Sequence, residues 1–121
     1  MAVDNGYNKE KMHSFAEKWI EKFNNPNTKE YQFDEIADDC RAFGFKMDCG
    51  HDFTEKYGDA FYYSNLLKDI IGTVTDVQLL GSAILSKWRF ITHWSTESTG
   101  DTKNREWFII VLTRLAQITG G

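Results

Sequence analysis

From Met12 onward apolar residues return at helical intervals. Met12, Phe15, Ala16, Trp19 and Phe23 share one face, and Lys9, Lys11, Glu17, Lys18, Glu21 and Lys22 occupy the remainder. A repeat close to 3.6 residues with charge on the opposite side predicts an amphipathic helix. Asn24 and Asn25 followed by Pro26 supply its stop, because Asn tolerates a left-handed terminal position and proline disfavours helix at the residue before it. Asn27, with Glu30 three residues on, then reads as the cap of a second helix. Phe33, Ile36, Ala37, Cys40, Phe43 and Met47 carry it through roughly four to five turns. Asp48-Cys49-Gly50-His51 should end that helix, with Gly50 left-handed.

Phe53 and Tyr57 predict a short turn before Gly58, and Asp59 is the expected cap of a third helix. Its stripe is Tyr63, Leu66, Leu67, Ile70 and Ile71, and Gly72 closes it. Thr75-Asp76-Val77-Gln78 has the form of a capping box, which predicts a long fourth helix with Val77, Leu80, Ile84, Trp88 and Ile91 on its stripe. A strand over the same segment would place Ser82, Ser86 and Thr92 on its apolar face and leave the cap unexplained. Gly81-Ser82-Ala83 makes a small-residue patch in mid-helix, a place for another helix to come close. After a polar loop, Ser95 to Asp101, either Asp101 or Thr102 caps a last helix carrying Trp107, Phe108, Val111, Leu112, Leu115 and Ile118.

These elements add up to an all-α fold: a single domain over residues 1–121, a bundle of about five helices. The alternative is α+β, with three N-terminal helices and a C-terminal antiparallel sheet, because Ile109, Ile110 and Val111 are successive β-branched residues. At 121 residues there is room for one core. The 41% apolar content is ordinary, whereas 15% aromatic residues beside a single proline is a surplus that the predicted stripes largely absorb. No basic leader or apolar stretch of spanning length is present, so a cytoplasmic protein that does not enter the membrane is expected.

The net charge of −4 argues against nucleic acid as the partner, since phosphate neutralisation needs a basic surface. A weaker alternative keeps that role for Lys87, Arg89, Lys103, Arg105 and Arg114. Phosphate-cradling glycine loops, a nucleophile elbow and paired Cys-x-x-Cys knuckles are all missing from the sequence, so no catalytic residue is assigned and an enzyme is not expected. Cys40, Cys49 and His51, completed by His13 or His93, have the donor types of a zinc site, although their spacing matches no zinc pattern. The same cysteines suggest a thiol-dependent protein, with Cys49 activated by His51. Two acidic-x-x-His pairs, Glu10/His13 and Asp48/His51, have half the ligand set of a dinuclear bundle, but too few inward carboxylates accompany them.

The main expectation is therefore a small helical protein that acts on a protein partner as adaptor, inhibitor or regulatory subunit, without a cofactor; the alternative is the zinc or thiol protein. Two sets of residues suit an interface. Asp34, Glu35, Asp38 and Asp39 form an acidic cluster, and Arg89, His93 and Trp94 lie toward an exposed helix end, of types enriched at interaction hot spots.

Overall fold

The computed structural model describes residues 8–48 and 50–120, and among them every regular element is a helix. The order is α1 (Lys9–Asn24), α2 (Glu30–Phe33), α3 (Glu35–Ala42), α4 (His51–Tyr57), a 3₁₀ turn (Gly58–Phe61), α5 (Ser64–Ile70), a second 3₁₀ turn (Ile71–Thr73), α6 (Val77–Trp94) and α7 (Thr102–Gly120). The α+β alternative is thereby excluded for the described residues, since both disputed C-terminal segments are helical. No described helix is long and apolar enough to cross a membrane.

Helices α1 and α7 form the most extensive pairing in the fold. The α1 stripe of Met12, Phe15, Ala16, Trp19 and Phe23 is buried as the periodicity requires, and so are Trp107, Phe108, Val111, Leu112 and Leu115 of α7. Phe23 joins the pair to α2: its ring stacks on Phe108 at 4.8 Å and on Phe33 at 4.7 Å between centroids. Stacking of this kind adds specific geometry to the large apolar area that such rings remove from water.

Helix α6 is the central element. Every residue from Leu79 to Lys87 is buried, so the helix is enclosed on all sides rather than along one stripe. Its serines are tolerated because they find acceptors: Ser82 Oγ donates to Lys46 O at 2.5 Å, and Ser86 Oγ to Asp48 Oδ1 at 3.1 Å. The patch around Gly81 does permit a close approach, but by the ring of Phe45 from the α3–α4 connection and not by another helix.

Several element ends depart from expectation. The second helix is shorter and begins later: Lys29, not Asn27, precedes α2, and its N–H donates to Gln32 Oε1 at 2.6 Å. The chain then stays near helical geometry at Asp34 and enters α3. That helix stops at Ala42, because the left-handed residue is Gly44 at φ 78°. Gly44 N–H donates to Arg41 O, and Phe45 N–H to Cys40 O, which ties off two terminal carbonyls and turns Phe45 inward. Gly50 is left-handed too, but it precedes α4 instead of closing the previous helix. The cap of α6 is Asp76, whose carboxylate accepts from Leu79 N–H at 3.2 Å, in place of Thr75. Asp59 lies in a 3₁₀ turn, so α5 starts four residues later than expected, and Tyr63 is exposed rather than in the core.

Candidate functional site

Trp88 links Asp34 of the acidic cluster to His93 near the end of α6. Trp88 is only half-buried, and its Nε1–H donates to Asp34 Oδ1 at 3.0 Å, linking the acidic cluster to the end of α6. Arg41 lies over the Trp88 ring at 5.6 Å, and His93 meets it edge-on at 6.1 Å. Trp94, at 74% exposure, and His93 are open to solvent, while Arg89 is half-buried. The acidic residues, however, have cations of this same chain beside them. Asp39 accepts from Lys18 Nζ and Trp19 Nε1, both at 2.8 Å; Asp38 is 3.7 Å from Arg41, and Glu35 is 4.0 Å from Lys22. This face consequently presents little uncompensated negative charge.

The zinc candidates are dispersed or undescribed. Cys40 is fully buried in the core, where loss of solvent drives its thiol pKa far up and keeps it protonated. His51 is exposed at the start of α4, and Cys49 lies outside the described residues. Among the described residues no group of three or more His, Cys, Asp or Glu side chains is placed to hold a metal ion. His13 is engaged at the α1–α7 contact, with Nδ1 3.0 Å from Ala116 O and Nε2 3.3 Å from Glu17. The basic residues of the nucleic-acid alternative do not assemble into a face either. Arg105 donates to the carbonyls of Gly100, Phe23 and Asn25, Arg114 donates to Val74 O, Lys103 pairs with Glu97, and Lys87 is buried.

Lys87, offered by the sequence only as one cation of the nucleic-acid alternative, occupies a different kind of place. Its side chain leaves α6 into a cleft of about 470 Å³, bounded by Tyr62 and Tyr63, the first residues of α5, Phe90, Glu97, and Lys103 with Asn104 of α7. That volume lies within the range of small-ligand sites. Lys87 is 3% exposed, and Nζ donates to Phe61 O at 2.9 Å and to Tyr62 O at 3.4 Å. Four rings surround it: Nζ is 5.1 Å from the Trp107 centroid, 5.4 Å from Phe61, and 5.8 Å from both Tyr62 and Phe90. The rings also hold one another, with Phe61 edge-on to Trp107 at 5.9 Å and Tyr62 edge-on to Phe90 at 5.5 Å. Trp107 is itself fixed, its Nε1–H donating to Ala60 O at 3.0 Å.

No carboxylate lies within ion-pair distance of Lys87 among the described residues. The aromatic faces and two carbonyls stabilise its charge in part, but burial still dominates and lowers its pKa to about 8. Glu97, farther off, opposes that shift, and Lys103 reinforces it. The hydrogen bond from Lys103 holds Glu97 ionised below the usual carboxylate range, with Asn104 assisting. The cleft thus combines an apolar wall, an amine short of a counter-ion and a polar rim. No protein-family model, curated protein or solved structure matches this chain.

Proposed function

We propose that this protein is a non-catalytic interaction protein, an adaptor, inhibitor or regulatory subunit, that grips an acidic segment of a partner protein in the Lys87 cleft. The carrying observation is the buried Lys87 ammonium, fixed by two carbonyls and four rings yet without a carboxylate within ion-pair distance among the described residues. A buried charge is costly unless paired, so a carboxylate brought by a partner would meet a site where water competes poorly. Tyr62, Tyr63 and Phe90 offer apolar and aromatic surface beside it for a neighbouring side chain of that segment. Trp94, His93 and Arg89 lie farther along α6 and are candidates for a second contact with the same partner.

The test is a ¹H–¹⁵N titration of the full chain with the peptide acetyl-Glu-Leu-Phe-Glu-amide and with its Gln-Leu-Phe-Gln counterpart. The acidic peptide should shift the amide signals of Tyr62, Tyr63, Lys87, Phe90 and Asn104, and the amide peptide should do so at least about tenfold more weakly. Equal responses to the two peptides, or shifts confined to other surfaces, would refute the reading.

A further inference from the structure

We propose that Lys87 also captures small carbonyl compounds, aldehydes above all, as a reversible imine inside this cleft. The inference goes beyond protein docking and rests only on the cleft and its amine. Lys87 lines a space of about 470 Å³, and the two observed acceptors of its Nζ are the carbonyls of Phe61 and Tyr62. A neutral amine has two N–H donors and one lone pair. With both donors directed to those carbonyls, the lone pair is the one position on the nitrogen without a hydrogen bond among the described residues. Burial favours that neutral form. The neutral amine is therefore more populated at neutral pH than in an exposed lysine.

The lone pair adds to the carbonyl carbon to give a carbinolamine. Departure of the former carbonyl oxygen as water, carrying both hydrogens of the amine nitrogen, leaves the C=N bond. Amine plus aldehyde thus becomes imine plus water, with no oxidant or reductant required. Phe61, Tyr62, Phe90 and Trp107 keep bulk water from the nitrogen, which favours the dehydrated product, and Tyr62, Tyr63 and Phe90, which line the cleft, offer an apolar bed for the substituent of the aldehyde. The charged and titratable groups facing the site are Glu97 and Lys103 at its rim, together with the phenols of Tyr62 and Tyr63. Of the ten lysines in the chain, Lys87 alone is buried among the described residues.

The test is to incubate the full chain with benzaldehyde and sodium cyanoborohydride at pH 7 and to map reduced adducts by peptide mass spectrometry. Lys87 should be modified at least about tenfold faster than any other lysine, leaving the α-amino terminus as the internal reference for an amine of low pKa. Adducts spread over the exposed lysines in order of their exposure, or absent from Lys87, would overturn the proposal. Lys87→Arg should retain the far-ultraviolet circular dichroism and abolish the selective adduct; the wild-type peptide map decides the question even if that variant fails to fold. The peptide titration involves no aldehyde, so failure of carboxylate docking and failure of imine formation are separately visible.

Discussion

The ring of Phe45 occupies the space that a β-carbon on Gly81 would need. Three of its ring carbons lie too close to that position for any ordinary contact, and the ring is buried, held by the turn that Gly44 makes possible. Gly81→Ala gains about 1 kcal/mol of helix propensity but overpacks the site by roughly 1–3 kcal/mol, so a net loss of stability is expected. Urea denaturation of Gly81→Ala, Phe45→Leu and the double variant checks this. The double variant should lose less than the two single losses combined, because the smaller side chain vacates the contested space. Additive losses would show that Phe45 is not what requires glycine there.

Loop 95–101 forms part of the cleft rim through Glu97, and its position is set from the far side of the molecule. Glu30 accepts from Thr99 N–H at 2.8 Å and from Gly100 N–H at 3.1 Å. Arg105 donates to Gly100 O at 2.6 Å and to the carbonyls of Phe23 and Asn25, while lying 5.2 Å over the Phe33 ring. Lysine cannot reproduce that fork, so Arg105→Lys should lower the unfolding free energy by about 2 kcal/mol. Glu30→Gln should cost about 1 kcal/mol, and it should speed amide hydrogen exchange at Thr99 and Gly100 more than in α1 or α7. Uniform acceleration across the fold would mean that Glu30 supports global stability and not the loop.

The legible and illegible parts of this fold differ in physical kind. The stripes of α1 and α7 could be read because each helix buries one face against one neighbour, which imposes a helical period on the sequence. Helix α6 is enclosed, so Ser82 and Ser86 are as buried as Leu80 and Ile84, and no stripe isolates its inner positions. Caps were misplaced where two residues compete locally, as with Thr75 and Asp76, because propensity cannot choose which hydroxyl or carboxylate reaches the free N–H. Gly44 and Gly50 both have positive φ, and Met47 continues the apparent period beyond the true end of α3, so the pattern alone points to Gly50 as the stop.

For the site, one signal was present. No charge occurs from Val77 to Ser86, so Lys87 is the first ionic group after ten uncharged residues of the central helix. What remained hidden is that Phe61, Tyr62 and Trp107, distant in sequence, converge on its amine. The acidic cluster shows the reverse case. It stands out in the sequence, but folding places Lys18, Lys22 and Arg41 beside it.

The burial of Lys87 makes stability depend on alkaline pH in a defined direction. Its pKa is about 8 in the folded chain and 10.5 in an unfolded one, so below pH 8 both states hold the proton and the full burial cost opposes folding. Between pH 8 and 10.5 the unfolded chain binds more protons, and stability must rise with pH. The gain amounts to about 3 kcal/mol once both states are neutral. Lys87→Met keeps most of the side-chain volume, removes the charge and leaves the carbonyls of Phe61 and Tyr62 without this donor. Urea unfolding of both proteins from pH 7 to 10.5 isolates the effect, because other titrating groups cancel in the difference. Wild-type stability should climb relative to Lys87→Met as pH increases through 8. A constant or falling difference would show that Lys87 keeps an ordinary pKa in the folded protein, and it would remove the desolvated ammonium on which carboxylate docking depends.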